Sequence, residues 1–322
     1  MRRTSIGSPH DPLELGAPIA ERREPRERRV TGPAGTLVVW DHPGDPPDTL
    51  LLHGIGGTGR IWDLFADAVA GRLRLLAPDA RGHGDSAKPP AVPGSYGPAD
   101  FVADTAAILD ALGLERVFLV GHSMGGGHAV AFTLAHPERV RALVIIDIGP
   151  TLEAEGAERA GRLSRSRPER FGDRAAAERY LRETSPGYSD EIYAHRLRWL
   201  LRPDPRQDAR RPEQGGDHGH GPDTGGDDHG YGWRSDPGAL GRILAGAPDR
   251  VRSWARLATI KVPTLLVRGT RSIYLGAATA QRMLATLPDA RLIELDAGHN
   301  VQLDRPRELA EAIVAFGRAT LR

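Results

Sequence analysis

Short, mainly apolar runs alternate with longer amphipathic segments along most of the chain. Each run has four to seven residues and ends at glycine, proline or polar residues, which is typical of strands buried on both faces of a sheet. The segments between the runs have apolar residues at helical spacing. The pattern therefore predicts an α/β fold with a mainly parallel central sheet flanked by helices. The predicted strands are residues 49–52, 73–77, 117–120, 140–146, 264–267 and 291–295.

The predicted helices lie between these strands and after the last one. In the last helix, Leu309, Ile313 and Phe316 fall on one stripe, as expected for a helix that packs on a sheet. A glycine-rich turn at 32–35 predicts a hairpin before the first buried strand. The hairpin strands are predicted at 28–31 and 36–40, and the other helices at 61–71, 99–112, 124–136 and 277–287.

The alternation of strands and helices is interrupted by an insertion at residues 151–255. Within it, Ser189 is the predicted N-cap of one helix, and Pro168 begins another that includes Phe171. Amphipathic helices inserted between the strands of a sheet are expected to form a lid that lines a pocket and excludes water. The lid is predicted to contain a flexible loop rich in Gly, Asp and His at about 206–232.

The remaining segments divide by composition. Residues 1–29 are rich in Arg, Glu and Pro and have no period, so they are predicted to form a disordered N-terminal arm. The core is predicted to comprise residues 30–150 and 256–322, on either side of the lid.

Charge and cysteine content exclude several classes of function. The 322 residues have a formal net charge of +1, so no overall field favours nucleic acid or an anionic membrane. The chain has no cysteine, which excludes disulfides, thiolate metal ligands and a cysteine nucleophile. No apolar run approaches the roughly 20 residues of a membrane span, and no apolar segment follows Arg2 and Arg3 as an export signal would require. A cytoplasmic location is expected.

A serine lies between a central predicted strand and its helix. Gly121 and Gly125 flank Ser123 in the sequence Gly-His-Ser-Met-Gly, so the chain turns sharply with small residues on both sides. Such a turn exposes the hydroxyl at the sheet edge, beside the free N–H groups of the first helical turn. Ser123 is therefore the candidate nucleophile, although an isolated motif of this kind also fits an ordinary strand-to-helix turn.

Two other loops at strand ends are rich in glycine or polar groups. The loop at 53–57 fits either close approach of the backbone to a ligand or an ordinary turn. In the loop at 81–86, we expect Arg81, His83 and Asp85 to hold the loop together by hydrogen bonds. His83 has no second ligand at metal-binding spacing.

The histidine-rich tract in the lid offers a possible metal site. His218, His220 and His229 lie among aspartates, and such side chains can bind a metal ion. Tracts of this composition are more often flexible loops, and we expect a loop with no bound metal.

A second candidate catalytic residue follows the last predicted strand. His299 lies in the loop that leaves strand 291–295. Because parallel strands deliver their following loops to one edge of the sheet, His299 is expected at the same edge as Ser123.

Together these segments resemble the α/β-hydrolase superfamily, specifically its lidded esterases, lactonases and C–C hydrolases. The resemblance extends from about residue 30 to the C-terminus. It implies that Ser123 is the nucleophile, that His299 is the general base and then acid, and that the N–H groups of Ile55 and Met124 form the oxyanion hole, with no cofactor. The motifs are His-Gly-Ile-Gly-Gly at 53–57, Asp-Ala-Arg-Gly-His-Gly-Asp-Ser at 79–86, Gly-His-Ser-Met-Gly-Gly at 121–126 and Gly-His-Asn-Val-Gln at 298–302.

The acid of the triad departs from the family pattern. The usual position after the penultimate strand holds Ile273, which cannot orient an imidazole. Some members of the superfamily place the acid after the strand that follows the nucleophile helix, and Asp147 lies there, 24 residues beyond Ser123. We predict Asp147 as the triad acid. Alternatively, it caps the entry to the lid, and Asp296 and Asp304 are the weaker candidates.

The predicted function is hydrolysis of a carboxylic ester, lactone or thioester through an acyl-enzyme on Ser123. A C–C bond hydrolase or a cofactor-free peroxidase-type enzyme uses a similar triad and stays an alternative. A ligand receptor with vestigial catalysis is a second alternative, which Ile273 favours. Dehalogenase and epoxide hydrolase chemistry would require an aspartate at position 123.

The expected partner is a small-molecule substrate with an apolar acyl part, and neither nucleic acid nor a membrane is expected. The apolar side chains of the lid helices suggest such a substrate, although the same residues can equally pack the lid itself. They are Phe171, Tyr180, Tyr193, Trp199 and Leu200.

Overall fold

An eight-stranded sheet forms the centre of the computed structural model, which describes residues 24–92, 94–204, 230–245 and 253–320. The strand order is β1-β2-β4-β3-β5-β6-β10-β11, and β2 pairs antiparallel with both β1 and β4. All other pairs are parallel, so the predicted mainly parallel sheet is confirmed. The strands are β1 (Arg26–Gly32), β2 (Gly35–His42), β3 (Asp48–Leu52), β4 (Arg74–Pro78), β5 (Val117–His122), β6 (Val140–Ile146), β10 (Thr264–Gly269) and β11 (Ala290–Leu295).

Helices cover both faces of this sheet. Alternate residues of β5 belong to different apolar clusters: Val117 and Leu119 pack with α2, α3 and α9, and Phe118 and Val120 pack with α1 and α11. All four side chains are fully buried, as the continuous apolar run predicts. The helices are α1 (Asp63–Val69), α2 (Pro98–Ala111), α3 (Met124–Ala135), α8 (Trp254–Leu257), α9 (Ala277–Thr286), α10 (Val301–Asp304) and α11 (Pro306–Thr320), with short 3₁₀ turns at Gly59–Trp62 and Pro137–Arg139.

The inserted segment forms a separate layer over the carboxyl ends of the strands. A three-stranded antiparallel sheet, β7-β9-β8, packs with helices around an apolar cluster that includes Phe171, Leu197 and Trp233. The Ser189 hydroxyl accepts the N–H of Ile192, so the predicted N-cap is confirmed. The elements are α4 (Ala154–Ser166), β7 (Arg170–Phe171), α5 (Arg174–Thr184), α6 (Asp190–Leu200), β8 (Leu201–Pro203), β9 (Tyr231–Trp233) and α7 (Pro237–Ala245).

Contacts at two places fix this layer to the core. His195 of α6 lies with Nε2 2.8 Å from the carboxylate of Asp63, and both side chains are buried. Elsewhere, Arg234 donates to both carboxylate oxygens of Asp85, in the loop after β4. The layer therefore rests on the core through ion pairs as well as through apolar packing.

Several predicted boundaries were wrong. Strand β1 begins at Arg26, so residues 26–29 belong to the sheet and not to the predicted arm. Phe171 lies in β7, and the helix predicted from Pro168 begins only at Arg174. The end of the predicted loop is β9, because its residues pair with both β7 and β8. These strands pair across long sequence separations, which local patterns do not reveal. The rest of the predicted arm, 1–23, and of the loop, 206–229, lies outside the described residues.

No helix in the described part of the chain is long and apolar enough to cross a membrane.

We predict that Gly125→Ala destabilises the protein by about 3 kcal/mol. A Cβ at Gly125 would overlap the main-chain carbonyl of Leu52, which cannot move without disturbing β3. The change in unfolding free energy can be measured by urea denaturation followed by tryptophan fluorescence.

Gly241→Ala is the matched control. Gly241 lies exposed on α7, and a Cβ there meets no atom within 4 Å. Alanine should raise stability by up to about 1 kcal/mol through its helix propensity. Equal unfolding free energies for the two variants would contradict the packing argument.

Candidate active site

A strained turn presents Ser123 at the carboxyl end of the sheet. The residue has φ 52° and ψ −118°, a backbone conformation that residues other than glycine rarely adopt. Its N–H donates to the carbonyl of Ile146 at 3.0 Å, which holds the turn against β6. A Cβ at Gly121 would overlap the carbonyl of Gly125. The glycines that flank the serine therefore allow the close approach that the turn requires.

His299 lies between Ser123 and Asp147, as predicted. Its Nε2 is 2.9 Å from the Ser123 hydroxyl, and its Nδ1 is 2.7 Å from Oδ2 of Asp147. A carboxylate can only accept, so the imidazole donates from Nδ1 to Asp147. In that tautomer Nε2 carries a lone pair and accepts the hydroxyl proton of Ser123. The ring stacks beside Tyr274, with centroids 4.1 Å apart.

The carboxylate of Asp147 is wholly buried behind this imidazole. Asp147 follows β6 and, like Ser123, has a positive φ of 52°. Its Oδ1 accepts the N–H of Gly269 at 3.0 Å, and its Oδ2 accepts the Ser272 hydroxyl. These donors follow or end β10, so the carboxylate is held by the core and does not cap the lid.

The two weaker acid candidates contact other groups. Asp296 is exposed and pairs with Arg271 and Arg305. Asp304 accepts the N–H of Gly298 at 2.6 Å. Among the described residues, neither carboxylate hydrogen-bonds to His299.

Sequence analysis missed Ser272. Its hydroxyl donates to Asp147 and accepts the N–H of Tyr274 at 3.1 Å. Ser272 therefore connects the carboxylate of Asp147 to the loop after β10. Ile273, at the usual acid position, lines the cavity instead. The signal available in the sequence was a hydroxyl residue beside a position where a carboxylate was expected and absent.

The two predicted oxyanion donors border the same cavity as Ser123. A Cβ at Gly54 would lie 3.3 Å from the Cβ of Ser123, which shows how closely the 53–57 loop approaches the serine. The N–H of Met124 is at the first position of α3 and has no acceptor within the helix. The N–H of Ile55 also has no acceptor in the described part of the chain. Both groups are available to a ligand.

Two buried histidines support this loop from below. Nε2 of His83 accepts the N–H of Gly56 at 3.0 Å, and Nε2 of His53 accepts the N–H of Ala80 at 3.0 Å. Because each Nδ1 faces a main-chain carbonyl, at 2.8–3.0 Å, both rings are neutral with the proton on Nδ1. Burial lowers the pKa of His53 to about 4 and holds the pKa of His83 well below its usual value.

A third buried histidine connects the serine and histidine loops. His122 donates from Nε2 to the main-chain carbonyl of His299 at 2.8 Å, and Gln302 donates to its Nδ1 at 3.4 Å. Burial, followed by the neighbouring charge of His299, holds the pKa of His122 well below its usual value. The neutral ring therefore fixes the loop of His299 to the residue before Ser123.

The prediction that hydrogen bonds tie the loop at 81–86 together is confirmed in part. Within the loop, Nδ1 of His83 bonds to the carbonyl of Arg81 at 3.0 Å. The other side-chain bonds lead outside it: Arg81 forms two hydrogen bonds with the carboxylate of Asp104 in α2, at 2.6 and 2.7 Å, Asp85 binds Arg234, and Nε2 of His83 binds the 53–57 loop.

A cavity of about 1060 Å³ separates the carboxyl edge of the sheet from the inserted layer. Tyr180, Tyr188 and Trp199 border it, whereas Phe171 and Tyr193 pack within the apolar cluster of the lid. Some of the predicted lid side chains are therefore available to a substrate and others are structural.

The described residues contain no group of three or more His, Cys, Asp or Glu side chains that could hold a metal ion. His218, His220 and His229, the candidate ligands from the sequence, lie outside the described residues.

Comparisons with known proteins place the chain among enzymes. A model of the alpha/beta hydrolase fold matches residues 50–306. A Bacillus subtilis (strain 168) protein, provisionally assigned as a 2-succinyl-6-hydroxy-2,4-cyclohexadiene-1-carboxylate synthase, is 30% identical over 286 residues, covering 87% of this chain and 93% of that protein. A 3-hydroxybutyrate-oligomer hydrolase of Cupriavidus necator is 27% identical over 282 residues, covering 85% and 89%. The crystal structure of an E-2-(acetamidomethylene)succinate hydrolase has a TM-score of 0.73 and 26% identity, covering 90% and 98%.

We predict that His53 makes stability dependent on pH below about 6.5. The pKa of His53 falls from 6.5 in the unfolded chain to about 4 in the folded protein. Between these pH values the unfolded chain therefore binds a proton that the folded protein does not bind. The contribution is complete above pH 6.5 and is lost as the pH falls to 4, and it amounts to about 3 kcal/mol. Asp79 opposes this trend, because burial raises its pKa to about 6.

His53→Gln isolates the contribution of this histidine from that of Asp79. Urea denaturation of the variant between pH 7 and pH 4.5 should show a smaller loss of unfolding free energy than in the wild type, even though the variant is less stable at pH 7. Parallel declines of the two proteins would contradict the prediction.

Proposed function

The chain belongs to the α/β-hydrolase fold family, and on that premise we propose that it is a serine hydrolase that cleaves a carboxylic ester, lactone or thioester. Membership confirms the resemblance predicted from the sequence. The observation that carries the proposal is the continuous hydrogen-bond chain from the Ser123 hydroxyl through His299 to Asp147. A serine hydroxyl is a weak nucleophile until a base takes its proton, and this chain supplies that base.

In the acylation step, Oγ of Ser123 attacks the substrate carbonyl carbon while its proton passes to Nε2 of His299. The carbonyl π electrons move onto oxygen, and the N–H groups of Ile55 and Met124 stabilise the resulting oxyanion. The tetrahedral adduct collapses when the bond to the leaving oxygen or sulfur breaks. His299 returns its proton to that leaving group, and the acyl group stays on Ser123.

In the deacylation step, water replaces the leaving group. His299 takes a proton from the water as the hydroxide oxygen attacks the acyl carbon. Collapse of the second adduct releases the carboxylic acid, and the proton returns to Ser123. Asp147 stays ionised throughout and stabilises the imidazolium that forms in each step.

Features of the related proteins support a hydrolytic reaction. The succinate derivative and the hydroxybutyrate oligomer in the names of two relatives are small molecules that those proteins hydrolyse. A cavity beneath a lid suits a substrate of that size, since it can exclude bulk water from the acyl-enzyme. We propose a small-molecule substrate here, with an apolar part against the aromatic side chains of the lid.

The alternatives differ in how well the site supports them. A C–C bond hydrolase or a cofactor-free peroxidase-type enzyme would use the same three side chains. Ile273 favoured a ligand receptor with vestigial catalysis. That alternative is less well supported because Asp147 provides a carboxylate from another strand. No specific contact favours either alternative over acyl transfer.

We predict that a fluorophosphonate probe labels the wild-type protein and that Ser123→Ala abolishes the labelling. The probe reacts only with a serine that a neighbouring base activates. Intact-protein mass spectrometry would detect the adduct, and peptide mapping would locate it at Ser123. Absence of labelling in the folded wild-type protein would contradict the proposed function.

We predict that Asp147→Asn lowers kcat by about 10³- to 10⁴-fold, because an amide cannot stabilise the imidazolium and favours the wrong tautomer. Ser272→Ala should lower kcat roughly tenfold, through loss of one hydrogen bond to the carboxylate. Rates can be measured with p-nitrophenyl esters and lactones of graded chain length.

Asp296→Asn is the matched control for this series. Its carboxylate pairs with surface arginines, so nearly full activity is expected. Asp304→Asn tests the other acid near the loop of His299. A near-normal rate in Asp147→Asn would overturn the proposed triad.

A further inference from the structure

Three arginines of the lid border the cavity that holds Ser123 and form no ion pair in the described part of the chain, namely Arg159, Arg167 and Arg196. Arg159 donates to the carbonyl of Thr184 at 2.9 Å. Arg167 follows α4 and Arg196 lies on α6, and both border the cavity that holds Ser123. Nε of Arg167 and Nη1 of Arg196 are buried and have no hydrogen-bond partner within the described residues. Neither guanidinium forms an ion pair in that part of the chain.

The guanidinium of Arg167 is held in a fixed position. It stacks on the ring of Trp233, with Cζ 3.7 Å from the ring centroid, and its Nη2 donates to the Ser235 hydroxyl at 2.8 Å. The indole N–H of Trp233 in turn donates to the carbonyl of Pro168 at 2.7 Å. The platform under the cation is therefore rigid, and the charge is positioned before any ligand binds.

This charge lies beside the proposed oxyanion hole. A Cβ at Gly56 would be 3.1 Å from Nη1 of Arg167, so the guanidinium lies over the residue that follows Ile55. Nη1 of Arg167 thus lies over the loop that borders the position of a carbonyl attacked by Ser123. A group bound by Arg167 would belong to the same substrate as that carbonyl.

The two most buried arginines in the described part of the chain are neutralised by carboxylates. Arg60 binds Asp63, and Arg81 binds Asp104. By contrast, no ion pair in the described part of the chain joins Arg167 to the acidic side chains along the same cavity, which are Glu155, Glu169 and Asp304. Arg167 therefore differs from Arg60 and Arg81 in having no carboxylate partner.

An isolated charge in such a place is unfavourable. Transfer of an ion out of water without a counter-ion is energetically costly. Burial accordingly lowers the pKa of Arg167 to about 10, which still leaves it charged at neutral pH. An anionic group of a ligand would offset this cost and form charge-assisted hydrogen bonds with the free N–H groups.

Arg196 adds positive charge on the histidine side of the cavity. Its Cζ lies 5.5 Å from the ring of Tyr188, and the Tyr188 hydroxyl accepts a hydrogen bond from Asn300 at 3.4 Å. Asn300 follows His299 in sequence. Arg167 thus lies on the side of the 53–57 loop, and Arg196 on the side of the loop that holds His299.

We propose that Arg167 binds a carboxylate on the acyl part of the substrate, so that the enzyme acts on esters, lactones or thioesters of acids that bear a second carboxylate. This inference rests on the proposed function and specifies its substrate class. Arg167 is the specificity-determining residue, and Arg196 strengthens the positive potential of the cavity. The planar guanidinium and its free N–H groups match a carboxylate, and the apolar walls accommodate the carbon chain between the two ends.

The test compares matched pairs of substrates. Mono-4-nitrophenyl esters of succinate, glutarate and adipate are assayed beside the same esters with the far carboxylate capped as a methyl ester. At one chain length or more, the wild type should prefer the charged ester in kcat/KM by about 10- to 100-fold, the value of a charge-assisted hydrogen bond. Arg167→Gln should remove this preference, mainly through KM, and Arg167→Lys should restore part of it.

Arg165→Gln is the matched control, because Arg165 is an exposed arginine on α4 that does not border the cavity. This variant removes the same charge two positions before Arg167 in sequence, and it should keep the preference for the charged ester. Equal losses for charged and capped esters in Arg167→Gln would overturn the proposal, since they would mean that Arg167 only supports the lid. Absence of a preference in the wild type at every chain length would also overturn it.

Protection of the serine provides a second measurement that does not depend on turnover. Adipate or glutarate should slow labelling of Ser123 by the fluorophosphonate, and the neutral diamides should not. Inorganic phosphate that protects better than either dicarboxylate would overturn the assignment to a carboxylate.

Calorimetry separates failure of this inference from failure of the proposed function. If Ser123 does not label at all, the proposed function fails, yet titration of adipate into the wild type and Arg167→Gln still decides the anion site. Binding that is lost in Arg167→Gln but kept in Arg165→Gln supports the inference. Equal binding, or none, overturns it.

Discussion

The site depends on two main-chain hydrogen bonds. Each of them holds a strained residue at the end of one strand against the neighbouring strand. Ser123 donates its N–H to Ile146, and Asp147 donates its N–H to Val267 at 2.8 Å. Each bond continues the strand pairing by one residue past the end of a strand, at a residue with positive φ. The pairing of the sheet therefore offsets the backbone strain, and it aims a hydroxyl and a carboxylate at one imidazole from two strands.

Neutral imidazoles connect the loops at this edge of the sheet. His53, His83 and His122 each join two segments that are distant in sequence, through one donor and one acceptor per ring. A protonated ring would lose its acceptor, so burial, which keeps these rings neutral, also preserves the connections. Of the four imidazoles, only that of His299 is partly exposed, with 20% of its side chain accessible, and it is the one that exchanges a proton with Ser123 in the proposed mechanism.

Sequence patterns were sufficient where the information is local. Apolar runs located the strands of the core, and the order of the strand-end loops located Ser123, Asp147 and His299. Contacts between distant segments were not predictable: the hydroxyl of Ser272 and the unpaired charge of Arg167 acquire their meaning only from neighbours that folding brings together. The strands of the lid were missed for the same reason, because two- or three-residue strands have too few positions to show a period.

The hydrogen bond from His122 to the main chain of His299 has a mechanical consequence. It joins the backbone of the proton acceptor to the residue adjacent to the proton donor, across 177 positions of sequence. The backbone of His299 is therefore fixed directly to the end of β5, through a contact that involves no residue of the inserted layer. In the proposed mechanism, the distance that the proton travels is accordingly set by the sheet and its loops.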